Sequence, residues 1–309
     1  MDEVEVALVA ESGPLEHQAI LLVESLRRFG GALAGATVTV ASPRPTRRPS
    51  TATLSRLDAL GCDYVPLDVQ SDCPAYGTSW RLHTMGLLEE RSGADVLVQL
   101  DSDTLFVDEV DLLPGGAPVA ARAVDVQGMT TASPDDVNHD YWAALCALAG
   151  VEVEQLPWVT THVDHVRVRA SHNGGFVAAR RDLGLFRATS ELFRRSVQED
   201  LRPRKGRGEN VRAAYGQVGL DGSEWWGSAQ AALSVAATSL GVEVAPLADS
   251  VNVPLHSWYD GLVPPAELRH VHYHWLMELE FLHRNPLLNG DVEHEVTDWL
   301  RSAGAISSA

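Results

Sequence analysis

Lysine is almost missing from this chain. Lys205 is the only one in 309 residues, and every other basic side chain is an arginine. Lysine and arginine together number 24 against 42 acidic residues, which leaves a formal charge of −18. A chain so short of positive charge is not built for nucleic acid, because phosphate attraction needs clustered cations. It also repels small polyanions unless a metal ion or a local basic patch intervenes. Cysteine is scarce as well. Cys62, Cys73 and Cys146 are odd in number and form no Cys-x-x-Cys, so a disulfide framework is excluded and reduced thiols in a cytoplasm are expected. Long apolar runs are also lacking. The best candidate, residues 231–248, is interrupted by Ser, Thr, Gly and Glu243, so no transmembrane segment is expected. The first residues, Met1-Asp2-Glu3-Val4-Glu5, are acidic where a signal peptide would be basic.

What is present is an ordinary globular composition. Hydrophobic residues make up 45% and charged ones 21%, which excludes disordered, collagen-like and coiled-coil chains. The first hundred residues alternate apolar runs with helical patterns. Residues 4–10, 37–41, 63–67 and 95–100 read as strands, and 16–29, 51–60 and 79–90 as helices. That rhythm predicts an α/β fold, an open and mostly parallel sheet with helices on both faces. Further on, 118–123 reads as a strand, 136–148 as a helix and 159–170 as one alternating strand. That strand runs into Ser171-His172-Asn173-Gly174-Gly175 and then a short strand over 176–179. Helices are expected over 183–200 and 223–240, with a strand over 242–246. The basic, glycine-containing stretch 202–212 reads as an exposed mobile loop. No internal repeat is visible.

The strongest local feature is Val96-Leu97-Val98-Gln99-Leu100-Asp101-Ser102-Asp103-Thr104. An apolar strand delivers two aspartates at its carboxyl end, the end where open α/β sheets bind ligands. Carboxylates at i and i+2 can share a divalent cation, and oxygen ligands select Mg or Mn. A solvated acidic turn is the plainer alternative. The same pattern also opens haloacid-dehalogenase-like phosphatases, but Leu105 stands where their motif asks for Thr or Val, and no later strand ends in a second acidic pair.

Several segments, in order, resemble the GT-A type glycosyltransferases, and among them glycosyltransferase family 8, the glycogenin and lipopolysaccharide galactosyltransferase family. Leu100 to Thr104 resembles its LDxDT, and Arg81 stands on the preceding helix where that family has an arginine. His172-Asn173-Gly174-Gly175-Phe176 resembles its Asn-x-Gly segment. Ser228-Ala229-Gln230 resembles its Asp-Gln motif, with Ala229 in place of the Asp. Asn252 resembles its late Asn, and Val271-His272-Tyr273 its closing His-Tyr. The resemblance implies a Rossmann-like GT-A fold over residues 1–309, with a nucleotide-binding half, 1–115, and an acceptor-shaping half, 116–309. It implies transfer of a hexose from a nucleotide diphosphate sugar, a UDP-sugar by preference, to an unidentified acceptor with retention of configuration. It implies Mn2+ or Mg2+ held by Asp101, Asp103 and His272. The donor would meet Ala10 and Glu11 after the first strand, and Arg81, Ser102, Asn173, Gly174 and Gly175. The family's later diphosphate-binding Lys has no counterpart, since the run here is His272-Tyr273-His274-Trp275-Leu276. Arg81, His274 or an arginine of 202–212 would have to replace it. An idle sugar-nucleotide-binding protein is the alternative that this gap favours.

Two residues compete for the place beside the anomeric carbon. Gln230, by resemblance, would face the sugar and stabilise an oxocarbenium-like state. Glu224, at the start of the same expected helix, would be the base of an inverting reaction; its plainer role is to complement the helix dipole. Among weaker signals, His162-x-Asp164-His165 lies on alternating residues that point to opposite faces. Trp225, Trp226, Trp258 and Trp275 could stack on an acceptor sugar or pack in the core.

Overall fold

The computed structural model describes residues 2–256, 265, 267–275, 279–280 and 291–307. The chain opens with β1 (Val4–Val9), α1 (Pro14–Phe29), β2 (Thr37–Ser42), α2 (Thr51–Ala59) and β3 (Cys62–Pro66). Then come α3 (Thr78–Arg91), β4 (Val96–Leu100), β5 (Thr104–Phe106), β6 (Val119–Ala123) and α4 (His139–Ala149). The middle holds β7 (Trp158–Thr160), β8 (Arg167–Arg169), β9 (His172–Arg180) and α5 (Leu185–Gln198). It continues with β10 (Arg212–Ala213), β11 (Gly216–Gln217), α6 (Gly219–Ser223) and α7 (Ser228–Ser239). The last elements are β12 (Val244–Pro246), β13 (Val253–Pro254), β14 (His270–His272) and the helix Asp291–Ser302.

Local chemistry explains the early elements. α1 begins at Pro14, where a missing N–H costs nothing, and the Glu16 carboxylate accepts the Gly13 N–H at 3.1 Å. Arg27 and Arg28 occupy its last turn, where positive charge suits the helix dipole. α2 is capped by Ser50, whose Oγ accepts the Thr53 N–H at 3.2 Å.

Seven strands form one sheet in the order β12-β6-β9-β4-β1-β2-β3. Four of its six pairings are parallel; only β9 runs against its neighbours β4 and β6. Alternate residues of each strand feed opposite faces. Ala7, Leu97, Ala121 and Val177 pack under α3, α4, α5 and α7. Val6, Leu8, Val98, Leu100 and Phe176 pack under α1 and α2. This is the open, mostly parallel α/β sheet with helices on both faces that the sequence predicts.

A smaller sheet, β13-β14-β5, lies at the carboxyl end of β4. Leu105, Val253, Val271 and Tyr273 bury its apolar side with Leu21 of α1 and Val296, Trp299 and Leu300 of the final helix. Trp299 Nε1 donates to Glu24 Oε2 at 3.1 Å and fixes that helix to α1.

Three expectations need correction. Residues 159–170 are a β7–β8 hairpin rather than one strand, because the chain reverses over 161–166 with His165 at φ 54°. His172 to Gly175 is the first part of β9, not a loop before it. The helix expected over 223–240 starts only at Ser228: α6 ends at Ser223, residues 224–227 form a turn, and Gly227 takes φ 92° just before α7. That conformation is open to glycine and strained for other residues.

Candidate functional site

β4 ends at Leu100, and the chain turns sharply to start β5. The Asp101 N–H donates to Gly175 O at 2.9 Å, and Thr104 Oγ1 donates back to Asp101 O at 2.7 Å. Ser102 Oγ donates to Gln18 Oε1 at 3.2 Å. The Tyr273 N–H donates to Asp103 O at 3.0 Å, and β14 pairs with β5 so that His272 lies opposite Thr104. This ladder brings two distant segments together. His272 Nε2 stands 3.3 Å from Asp103 Oδ2 and 3.9 Å from Asp101 Oδ2, and His274 Nδ1 is 3.6 Å from Asp103 Oδ2. Arg81 forms an ion pair with Asp101.

Burial pushes the Asp103 carboxyl up, but the His272 and His274 imidazoles more than reverse this and hold it well below the usual carboxylate range. Burial and the neighbouring His274 lower His272 despite the pull of Asp103. A neutral imidazole beside an ionised carboxylate is the protonation state that binds a metal ion. Adjacent ligand atoms in an octahedral shell lie roughly 3 Å apart for bonds near 2.1 Å. Asp103, His272 and His274 have ligand atoms all within 4.8 Å of one another, close enough for one ion, with Asp101 outside that grouping; a mixed carboxylate and imidazole set suits Mn better than Mg. The donors therefore fit a divalent cation.

The start of β9 makes this approach possible. Gly174 O accepts from Gln99 Nε2 at 2.7 Å and from Arg81 Nη1 at 3.2 Å. A side-chain carbon on Gly175 would sit 2.7 Å from the His272 ring, and one on Gly174 2.9 Å from Arg81 Nη2. Asn173 Oδ1 accepts the Gly175 N–H at 2.8 Å and Asn252 Nδ2 at 3.1 Å, so the two asparagines brace each other beneath the site. His172 instead faces Ser234 Oγ at 3.0 Å and is structural.

These groups line a cleft of about 780 Å³ at the carboxyl edge of the sheet. Five arginines reach its wall in spite of the acidic chain: Arg44, Arg81, Arg204, Arg207 and Arg212. Arg44 pairs with Glu11 and lies 4.9 Å from the Trp80 ring centroid. Arg207 Nη2 donates to Asn138 Oδ1 at 2.9 Å. The Arg212 guanidinium stacks 3.4 Å from the centroid of Trp275. The 202–212 stretch is largely exposed, as the sequence predicts, but it is pinned. Arg202 reaches Glu224 at 2.7 Å, Lys205 reaches Asp200 at 2.5 Å, and Arg204 pairs with Glu209.

Most of the sequence-predicted residues meet in this cleft: Glu11, Arg81, Asp101, Ser102, Asp103, Asn173, Gly174, Gln230 and His272 line it. Gly175 lies against His272 behind the wall. Two do not belong. Ala10 is fully buried, its N–H donating to Ala41 O and its carbonyl accepting from Ser42 Oγ, so its polar groups are used inside the sheet. Glu224 follows the end of α6, outside the helix that carries Gln230. Its carboxylate is held by Arg202 and by the Gly206 N–H at 2.9 Å, away from the cleft wall. Gln230, in the first turn of α7, also borders a small void of about 20 Å³ with Arg81, Gln99 and Gly174.

Trp226 and Trp275 line the cleft, Trp225 packs in the core, and Trp258 lies outside the described residues. His162, Asp164 and His165 are not among the metal-competent groupings of the described residues; Asp164 caps the Gln127 N–H at 2.8 Å. The sequence reading passed over Asp125 and His256, which also line the cleft. Asp125 had a signal, since it too follows an apolar strand at the same edge of the sheet.

An open α/β sheet with an acidic, imidazole-bearing cleft at its strand ends defines a ligand-processing α/β protein. A protein-family model described as the Rhodobacterales glycosyltransferase domain matches residues 6–207, and the chain belongs to that family. It is therefore a glycosyltransferase, with a sugar donor and an acceptor, and the phosphatase alternative falls away. No curated protein matches the chain. Among the described residues, no helix is long and apolar enough to cross a membrane.

Proposed function

We propose that this glycosyltransferase moves a hexose from a nucleotide diphosphate sugar, a UDP-sugar by preference, to its acceptor with the help of Mn2+ or Mg2+. On this reading it is a GT-A enzyme allied to family 8. The observation that carries the proposal is the convergence of Asp101, Asp103 and His272, from two distant segments, in one arginine-lined cleft. A divalent cation bound there supplies Lewis-acid stabilisation of the negative charge that gathers on a leaving diphosphate. Asp101, Asp103 and His272 hold it. Arg207 and Arg212 offer positive charge to the phosphates and take the part of the lysine that this chain lacks. Residues 1–115 provide the nucleotide side of the cleft and residues beyond 116 the acceptor side. Gln230 presents an amide to the sugar, and its place on the wall, with Glu224 turned away to Arg202, favours retention.

A hydrolysis and transfer assay over a panel of nucleotide sugars, with Mn2+ or with chelator, tests the proposal. Turnover of a UDP-sugar with Mn2+ is expected. Asp103→Ala should abolish both turnover and the Mn-dependent rise in Tm caused by UDP, while the apo protein keeps its fold. Binding without turnover on every donor marks an idle binding protein instead. NMR of the product anomer decides the stereochemistry, and an inverted product refutes the role given to Gln230.

A further inference from the structure

Among the described residues, His274 belongs to two metal-competent groupings in the cleft, one with Asp103 and His272 and one with Asp125 and His256. Asp125, His256 and His274 form a second set whose ligand atoms all lie within 4.8 Å of one another. We propose that Asp125, His256 and His274 form a second divalent-cation site beside the Asp101, Asp103 and His272 group.

The topology places the second set. β4 and β6 both run against β9, so they run in the same direction and end at the same edge of the sheet. Asp101 and Asp103 leave the end of β4, and Asp125 lies two residues beyond the end of β6. The start of β9, Asn173 and Gly174, lies between those two acidic strand ends. The histidine rings pack against one another in a row, one pair edge-on and one tilted. His272 and His274 have ring centroids 4.0 Å apart, and His274 and His256 are 4.4 Å apart.

Asp101 pairs with Arg81 and Asp125 with Arg122, while the ion-pair partners of Asp103 among the described residues are the imidazoles of His272 and His274. Arg122 Nη2 donates to Asp125 Oδ1 at 2.6 Å, which orients that carboxylate and leaves Oδ2 to act as a ligand. Asp125, His256 and His274 all open onto the cleft, so an ion can enter and keep positions for water or a substrate oxygen. His274 is common to both groupings; when it serves the second ion, the first keeps Asp103 and His272, with Asp101 Oδ2 3.9 Å from His272 Nε2 as its third donor. The donors differ in kind. Two carboxylates and one imidazole suit Mn, whereas one carboxylate and two imidazoles suit a softer ion such as Zn2+ or Co2+.

Equilibrium dialysis against Co2+, followed by metal analysis, tests this on the full chain. Two equivalents are expected for the wild type. One is expected for Asp125→Asn, which keeps the shape and can still meet Arg122, and one for His256→Ala. Asp103→Ala should also keep one. Circular dichroism melts of the apo variants verify folding, and Asp125→Asn carries the test if His256→Ala unfolds. One equivalent in the wild type, or two retained in folded Asp125→Asn, overturns the second site. The stoichiometry is independent of turnover. Two sites with no activity on any nucleotide sugar count against the proposed function alone, and one site with full activity counts against this inference alone.

Discussion

Gly175→Ala is a small change with a computable consequence. Gly175 lies inside β9 and its φ is not positive, so the backbone itself accepts alanine. The obstacle is contact. The new carbon would lie 2.7 Å from both Cε1 and Nδ1 of His272 and 2.9 Å from Asn252 Oδ1. Ordinary carbon contacts are about 3.5–4.0 Å. The imidazole must therefore retreat by roughly 0.8 Å, or β9 must bend. Metal ligands tolerate about ±0.2 Å, so a retreat of that size takes Nε2 out of bonding range. Overpacking of this kind costs about 1–3 kcal/mol. For 309 residues at about 2.1 cal/mol/K each, that lowers Tm by roughly 2–5 °C. Mn2+ affinity should fall about 10–100-fold, as it does when a ligand loses its support. Gly35→Ala is the control, because a carbon there meets nothing within 4 Å. Melting curves of the apo proteins and Mn2+ titration by electron paramagnetic resonance give the two readouts. If Gly175→Ala binds Mn2+ as the wild type does and melts at the same temperature, His272 does not need the space that glycine leaves.

Three further outcomes are expected. Gln230→Ala should lower kcat with little change in donor KM, because its benefit lies in the transition state, while Glu224→Gln should keep most activity; steady-state kinetics on both variants checks this, and the reverse pattern refutes it. Arg212→Ala should raise donor KM by roughly 10–100-fold, the worth of a charge-assisted bond of about 1.5–3 kcal/mol, and an unchanged KM removes it from the phosphate site. Burial lowers His83, His162 and His172 to about 4 each. Between about pH 6.5 and 4 the unfolded chain then binds protons that the folded chain refuses, so stability is full above that range and falls as pH drops through it. Urea midpoints at pH 7, 5.5 and 4.5 should decline in that order, with His172→Gln declining less; equal midpoints contradict the argument.

The early half of the fold was legible because its signals are local. α1 announces itself with Pro14, Glu16 and a terminal Gly30, and β4 with an unbroken apolar run. The acidic pair after β4 was legible for the same reason. The misreadings fall where a distant contact decides. Residues 223–240 read as one helix, but 224–227 form a turn that ends at Gly227, where an added carbon would meet Met129 at 3.0 Å. Glu224 and Gln230 were weighed as neighbours on one helix and are not. His172 to Gly175 looks like a turn, since glycine pairs usually make one. It is a strand because Ala123 of β6 pairs with His172, beyond a register shift, and Gly175 O accepts the Asp101 N–H at the end of β4.

The same long-range logic explains why Asp125 and His256 escaped notice. Asp125 follows an apolar strand just as Asp101 does, but a single acid after Val124 has no partner at i+2 to mark it. Its partners come from His256 and His274, more than a hundred residues on. The family match spans residues 6–207 and so contains every carboxylate of the site but none of its three imidazoles. The carboxylates stand on the rigid sheet edge, where strand pairing fixes their spacing. The imidazoles arrive on β14 and the segments around it, held by the β5 ladder and by the space that Gly175 leaves. Metal choice should then depend on the later segment more than on the acidic motif. Replacing His272 should weaken Mn2+ more than Mg2+, whereas replacing Asp103 should remove the first ion altogether.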